Sequence, residues 1–195
     1  KAAEEDFRIR ANVHVDALNP TVDGQEGFAL LVRDTVGQIG DTAYNYSNSA
    51  AAIATKIQYK QGAANQTYRN GVGSRFVTGI ESSVDTPDPT KLKHVMYPLL
   101  HDTIIQGGDY IIELQKINNC YYTRYYEKDF STGEETLKMV NENVLYHDAD
   151  DKDQLLVVDK EYVYAGFSVA RGCNATFNDI EFEVTPRSTE YIEIK

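Results

Sequence analysis

The sequence predicts an all-β fold, a two-sheet antiparallel β-sandwich, and three observations support this prediction. Apolar and polar residues alternate from Phe7 to Val15, as in a strand with one buried face. Glycine and proline separate short apolar segments along the whole chain, and sustained helical periodicity is scarce. The pair Asn118-Asn119 lies between two such segments, and asparagine tolerates the positive φ of a tight hairpin.

The predicted strands follow one another at short intervals, which favours packing into two layers. The apolar run from Gly27 to Val32 predicts a strand that is buried on both faces. The alanine-rich stretch before Ile53 fits either the start of a strand or a helical turn. Two prolines predict a long exposed loop from about Glu81 to Val95. The predicted strands are Phe7–Val15, Gly27–Val32, Ile53–Lys60, Tyr110–Lys116, Cys120–Lys128, Glu135–Val140, Gln154–Val158, Tyr162–Arg171 and Thr176–Val184.

Length and charge limit the possible functions. A chain of 195 residues suffices for one core, and we expect residues 1–195 to form a single domain. Because the chain starts at Lys1 inside a charged stretch, we interpret it as a piece excised from a longer, secreted multidomain protein. The net charge of −11 repels polyanions, which argues against nucleic acid and anionic membranes as partners. No apolar run approaches the roughly 20 residues that a membrane-spanning helix needs.

The two cysteines, Cys120 and Cys173, lack the spacing of a redox or metal-binding motif. They are either two buried free thiols or one disulfide of a secreted protein. In both cases we expect them to contribute packing or a cross-link and to take no part in chemistry.

Two similar segments, "GFALLVRD" and "YAGFSVARGC", each end an apolar run on an arginine, Arg33 and Arg171. An arginine after a buried strand lies at the rim of a sheet, where loops build sites, and its planar fork suits carboxylates and sugar hydroxyls. One hypothesis is a small polar pocket of Arg33, Asp34 and Arg171, beside Tyr68 and Arg69. The alternative is a structural ion pair that fixes a loop.

Tyrosine is abundant, with 14 residues, and suits sugar binding because its ring stacks on a sugar face while its hydroxyl forms hydrogen bonds. Alternation places Tyr122 and Arg124 on one face of their strand, and Tyr164 on a shallow solvent face beside small residues. Tyr44 and Tyr68 are expected in loops. These side chains are candidate ligand contacts, although most tyrosines must simply stabilise strands as cross-strand pairs.

The acidic run "HDADDKDQ" has enough carboxylates for calcium, which takes six to eight oxygen ligands. It lacks the glycine and terminal glutamate of an EF-hand loop, so a solvated turn is the alternative. If a cofactor is present, we expect a structural calcium ion that stabilises the fold. The candidate ligands are Asp148, Asp150, Asp151 and Asp153.

The order of four segments resembles a known family: "DFRIRANVHV", "GFALLVRD", "GGDYIIELQKINNCYYTRYYE" and "DKEYVYAGFSVARGCNATFNDIEFEV". They resemble the concanavalin A-like jelly-roll carbohydrate-binding modules attached to secreted bacterial polysaccharide-degrading enzymes, especially pectate-lyase-like proteins. The resemblance covers roughly Asp6 to Val184. It implies a lectin-like sandwich, an extracellular or cell-surface location, and a glycan and a parent enzyme as partners. Because such modules often carry structural calcium, Asp179 is a separate candidate ligand.

The sequence therefore predicts a non-catalytic carbohydrate-binding module, and the charge favours neutral or short-chain glycans over long uronate polymers. Two alternatives remain. One is a structural or protein-interaction sandwich without a sugar site. The other is a catalytic lyase or glycosidase domain, against which stand the scattered histidines and the lack of a paired-carboxylate or nucleophile motif.

Overall fold

The computed structural model describes residues 1–20, 26–33, 49–55, 72–78, 93–100, 104–129, 131–144 and 161–190. These ranges contain ten strands and no helix, so nothing in them is a helix that could cross a membrane. The strands are β1 (Glu5–Leu18), β2 (Gly27–Arg33), β3 (Ser49–Thr55), β4 (Val72–Thr78), β5 (Lys93–Leu100), β6 (Asp109–Ile117), β7 (Cys120–Lys128), β8 (Glu135–Val144), β9 (Tyr164–Ala170) and β10 (Cys173–Pro186).

The strands form two five-stranded antiparallel sheets. The order is β10-β1-β6-β7-β8 in one, called the β1 sheet, and β5-β4-β3-β2-β9 in the other, called the β2 sheet. One face of each sheet packs against the other: Ile9 and Val13 from β1 share a core with Phe28 and Leu30 from β2. The prediction of an all-β, two-sheet antiparallel sandwich is confirmed.

Burial along β1 follows the alternation of the sequence. Phe7, Ile9, Ala11 and Val13 are buried. Their sequence neighbours, Arg8, Arg10 and Asn12, are partly exposed on the opposite face. In β2, residues 27 to 30 are all buried, as expected for a strand covered on both faces. These two patterns place the polar residues of β1 on the face of the β1 sheet that points away from the core, here called the outer face.

Two-residue turns join two pairs of consecutive strands, β6 to β7 within one sheet and β9 to β10 between the sheets. Ile117 pairs with Cys120 across the β6–β7 turn, where Asn118 has a φ of 49°, so the predicted Asn-Asn hairpin is confirmed. Between β9 and β10, Arg171 and Gly172 both have positive φ, 53° and 79°. Arg171 therefore belongs to a tight turn that joins the two sheets.

Strands β4 and β5 were not predicted by the sequence, and three expectations change. The alanine-rich stretch lies in β3, where alternate alanines enter the core, so the helical alternative is wrong. The loop expected to reach Val95 ends earlier, because β5 begins at Lys93. Among the described strands, β5 is at the edge of its sheet, where a proline is tolerated, and this accommodates Pro98. The predicted strand Gln154–Val158 lies outside the described residues.

The cysteines lie at opposite ends of the β1 sheet. Cys120 pairs with Ile117 of β6, next to Lys116, which pairs with Phe7 near the start of β1. Cys173 pairs with Leu18 at the end of β1. Eleven residues of extended β1 separate these positions, about 35 Å at strand geometry, so a disulfide is excluded. Both thiols are buried and neither is in a disulfide. Burial raises the pKa of Cys173, with smaller contributions from the Asp16 and Glu26 carboxylates.

Candidate functional site

The outer face of the β1 sheet collects polar side chains from all five of its strands. Residues on β1 point there at every second position, beginning with Arg8 and including His14. Register then places Glu113 of β6 beside Arg10, and Arg124 of β7 beside Glu113. On the outer face, arginines and carboxylates therefore lie side by side on neighbouring strands.

One half of this face is a closed network of ion pairs around Arg8. Its guanidinium donates to Glu113 at 3.0 Å, to Glu181 at 2.6 Å and to Glu183 at 3.0 Å. The hydrogen bond with Glu183 is the largest cause that raises the pKa of Arg8, and the same contact lowers the pKa of Glu183. With three carboxylates bound, Arg8 holds β10, β1 and β6 together.

Two further arginines lie over tyrosine rings of β7. The Arg124 guanidinium lies 5.0 Å from the centre of the Tyr122 ring and donates to Glu113 at 2.5 Å. Arg10 lies 4.8 Å from the Tyr126 ring centre and pairs with Glu135. The predicted common face of Tyr122 and Arg124 is confirmed, but the two side chains are in contact with each other inside this network.

The other half of the outer face is a cleft of about 380 Å³. Two side-chain hydrogen bonds cross its floor: Asn12 Nδ2 donates to Asp179 Oδ2 at 2.7 Å, and His14 Nδ1 lies 2.8 Å from Asp109 Oδ1. The lining residues are Asn12, Val13, His14, Asp109, Tyr110, Ile111, Tyr126, Glu127, Lys128, Asn178 and Asp179.

A β-bulge in β10 directs Asp179 into the cleft. The pairing of β1 with β10 shifts between Arg10 and Asn12, where Asn12 opposes Asn178 and Arg10 opposes Glu181. Asp179 has a φ of 47°, which only a few residue types adopt, and its carboxylate is fixed by Asn12. The extra residue places two successive polar side chains, Asn178 and Asp179, at the cleft.

Tyr126 forms a wall of the cleft with its phenol protonated. Burial raises its pKa first, and the Glu113 carboxylate raises it further, against the opposing effect of nearby arginines. Together the lining offers the Tyr126 hydroxyl, two carboxamides, an imidazole, an ammonium group from Lys128 and three carboxylates, while the Tyr110 hydroxyl accepts a hydrogen bond from the Ile105 N–H. This set can donate to and accept from the hydroxyl groups of a sugar.

The structure separates two residues that the sequence predicted to share a pocket. Arg33 pairs with Tyr164 and Gly27 pairs with Ala170, so Arg33 and Arg171 lie at opposite ends of the β2–β9 pair. Six residues of strand, about 20 Å, lie between them. The prediction that they line one small pocket is wrong, because antiparallel pairing turns the two similar segments in opposite directions.

The other predicted site residues divide into two groups. Tyr164 is half exposed beside Arg33 on the face of the β2 sheet away from the core, as its alternation predicted. The rest, Asp34, Tyr44, Tyr68, Arg69, Asp148, Asp150, Asp151 and Asp153, lie outside the described residues, and their roles stay predictions. Among the residues that are described, no group of three potential ligands could hold a metal ion, and Asp179 binds Asn12.

The residues of the cleft were not named as ligand contacts from the sequence, among them Asn12, His14, Asp109 and Tyr126. The alternation of β1 does place Asn12 and His14 on one polar face. Nothing in the local sequence shows that β6, β7 and β10 bring Asp109, Tyr126 and Asp179 beside them, because sheet order is set by long-range pairing.

Comparisons with known proteins agree with this architecture. A profile of the family described as "Pectate disaccharide-lyase N-terminal domain" matches residues 2–187. "Pectate lyase L" of Thermoclostridium stercorarium is 25% identical over 200 residues, which cover 96% of this chain and 14% of that protein. The basic winged bean lectin solved with Tn-antigen superposes with a TM-score of 0.52 at 14% identity, covering 94% of this chain and 73% of the lectin. The last comparison shows a lectin-like β-sandwich.

Proposed function

Since this chain belongs to the pectate disaccharide-lyase N-terminal domain family, we propose that it is a non-catalytic carbohydrate-binding module of a secreted polysaccharide-degrading enzyme. The pectate lyase relative supports a carbohydrate-related role, and the chain spans only 14% of that relative's length. A module of this kind leaves bond cleavage to another part of its parent enzyme.

The outer-face cleft is the observation that carries this proposal. Its volume of about 380 Å³ lies within the range of small-molecule sites, roughly 300–1,000 Å³. Its polar groups are held by each other, through the Asn12–Asp179 and His14–Asp109 hydrogen bonds, so they are oriented before a ligand arrives. Each acceptor retains lone pairs that sugar hydroxyls can use.

Charge favours a neutral glycan in this cleft. Asp109, Glu127 and Asp179 outnumber the single lysine of the lining, and the whole chain has a net charge of −11. A uronate carboxylate entering the cleft meets these carboxylates at close range. Neutral sugars, or the uncharged end of a short acidic chain, avoid that repulsion.

The functional consequence is targeting. A single cleft of this size binds one glycan segment weakly, but attachment to a catalytic domain raises the local concentration of that domain on the polymer. Weak contacts also release readily, so the enzyme can move along its substrate. A calcium ion bound at the acidic run would stabilise the fold and would take no part in this mechanism.

Asp109→Asn tests the proposal with little change of shape. Loss of a charge-assisted hydrogen bond is expected to weaken binding by about 1.5–3 kcal/mol, measured by titration calorimetry with a neutral oligosaccharide selected from a glycan array. Glu134→Gln is the matched control, because Glu134 is an exposed carboxylate outside the cleft and the charge change is the same. The control is expected to bind like the parent sequence.

Three results would contradict the proposal. If the unaltered chain binds no glycan, the structural or protein-interaction alternative holds. If it releases products from polysaccharides, the chain is catalytic. If Arg33→Ala or Tyr164→Ala abolishes binding while Asp109→Asn does not, the site lies on the β2 sheet and not in the cleft.

A further inference from the structure

One edge of the sandwich carries large apolar side chains that are half exposed, although they lie on the faces that form the core elsewhere. We call this surface the apolar edge strip. It consists of Phe167 and Val169 from β9 and of Ile180, Phe182 and Val184 from β10. Their exposed fractions run from 39% to 56%.

Register shows that the strip continues the core. Phe182 opposes Ile9 on β1, and both point towards the other sheet, yet Ile9 is 3% exposed and Phe182 is 56% exposed. In the β2 sheet, Phe167 opposes Leu30, which is fully buried. At this edge, the core-side residues of the inner strands β1 and β2 are buried, whereas those of the neighbouring strands β10 and β9 are partly exposed.

The sandwich closes at one end of this edge and stays open along the rest. The rings of Phe167 and Phe177 lie 4.7 Å apart, and Phe177 also contacts Phe28, so the sheets meet there. Beyond Phe177, β10 continues past its bulge with Ile180, Phe182 and Val184 on the core side. Within the described ranges, β9 and β10 are each the last strand of their sheets.

The size of the strip indicates what kind of surface fits it. Two of its side chains are phenylalanines of roughly 150–250 Å² and three are smaller aliphatic ones. With about half of each exposed, the exposed apolar area is on the order of 400 Å². Interfaces between domains of one chain bury roughly 600–1,500 Å² in total, about half from each side. A stable interface between separate proteins needs about 800 Å² from each partner. The area of the strip matches an interface between domains of one chain and is too small for a stable interface between separate proteins.

We propose that the apolar edge strip is the docking surface for the polypeptide that follows this domain in its parent protein. The matched family is an N-terminal domain, and the pectate lyase relative is much longer than this chain. β10 is the last described strand, and the described chain ends six residues beyond Val184 at Glu190, whose carbonyl accepts a hydrogen bond from the Asn118 side chain. Covalent attachment raises the effective concentration of that partner, and a small apolar patch then suffices.

A second copy of this chain is a poorer occupant. Two copies would each bring a net charge of −11, and the strip supplies only about half the area that a stable dimer uses. The proposal is independent of sugar binding, because the strip lies at the core edge and the cleft lies on the outer face.

Cysteine labelling tests the proposal directly. The native thiols are buried, so a water-soluble maleimide reports on an introduced cysteine. Val184→Cys and Phe182→Cys probe the strip at two positions in the parent protein and in the 195-residue chain. Ile105→Cys is the matched control, since Ile105 is 61% exposed and lies near Val15, at the other end of β1. Unaltered circular dichroism confirms that each variant is folded.

We expect both strip cysteines to react at least about tenfold more slowly in the parent protein than in the shorter chain. The control should react equally in both. Equal strip reactivity in the two proteins overturns the proposal. Slow reaction of the strip cysteines in the 195-residue chain also overturns the proposal. Protection that grows with protein concentration would mean that a second copy covers the strip. Protection independent of concentration would mean that another part of the same chain covers it.

Discussion

The Asp6 carboxylate joins three segments that are far apart in the sequence. Oδ1 accepts hydrogen bonds from Lys116 Nζ at 3.1 Å and from the Asn118 backbone N–H at 2.8 Å. Oδ2 accepts from the Ser188 backbone N–H at 2.7 Å. The Lys116 side chain is fully buried and also donates to the Glu5 carbonyl at 2.9 Å. A buried ammonium group is tolerated only with such partners.

Asp6→Ala should therefore lower the free energy of unfolding by about 3–5 kcal/mol, because it removes the anion that faces a buried cation. Urea denaturation measures the change. Glu4→Ala is the control, since its pair with Lys1 is on the surface and should contribute less than about 0.5 kcal/mol. If Lys116→Met added to Asp6→Ala restores no stability, the buried charge is not the cause.

At the scale of the elements, the β9–β10 turn connects the two sheets through strained backbone. Gly172 has a φ of 79°, and its carbonyl accepts a hydrogen bond from the Asn19 N–H at 3.0 Å. A Cβ at this position would lie 3.0 Å from the Asn19 Cβ. Both the conformation and the close approach favour glycine.

Gly172→Ala should destabilise the domain by at least about 1–2 kcal/mol, the cost of a left-handed conformation for a residue with a side chain. Thermal or urea unfolding gives the difference. Gly166→Ala, in the neighbouring strand, is the matched control, because its Cβ would meet open space at an ordinary φ, and its effect should stay within about 0.5 kcal/mol. Equal losses for both variants would show that the turn tolerates a side chain.

Strands with clear alternation or a clear turn were predictable from the sequence. The alternation of β1 and the Asn118-Asn119 turn between β6 and β7 placed these strands correctly. β4 and β5 contain Gly73 and Pro98, residues that weaken a local strand signal. β4 forms by pairing with β3, and β5 by pairing with β4. Contacts between segments distant in the sequence therefore determine these strands, and a local pattern does not show them.

The candidate site was less predictable than the fold, for a reason of geometry. The sequence placed Asn12 and His14 on one face, but three other strands supply the rest of the cleft. The bulge at Asp179 depends on how β10 pairs with β1. The motifs ending at Arg33 and Arg171 looked equivalent, and the antiparallel register separated them.

At the scale of the whole molecule, the net charge of −11 acts on every charged ligand that approaches. It should slow the association of a polyanion and weaken its binding, and it should leave the binding of a neutral molecule unaffected. Salt screens this field over about 8 Å at physiological ionic strength. The ionic-strength dependence of binding therefore distinguishes the two classes of glycan.

Affinity for a neutral oligosaccharide should change less than about twofold between roughly 0.05 and 0.5 M salt, whereas any binding of a polyuronate should strengthen as salt rises. Titration calorimetry at matched pH measures both, with the Glu134→Gln variant as a control for one unit of charge. Polyuronate binding that weakens with added salt would instead indicate a local cationic site, and would contradict the preference for neutral ligands.

The first and last described strands lie side by side, with Glu5 opposite Pro186. The points where polypeptide enters and leaves the sandwich are consequently about 5 Å apart, the width of one strand spacing. Such a domain can be spliced into a host sequence at a single surface position without forcing the flanking segments apart. The same geometry makes it suited to circular permutation, with a short peptide joining the old ends and new ends opened in the exposed turn between β7 and β8.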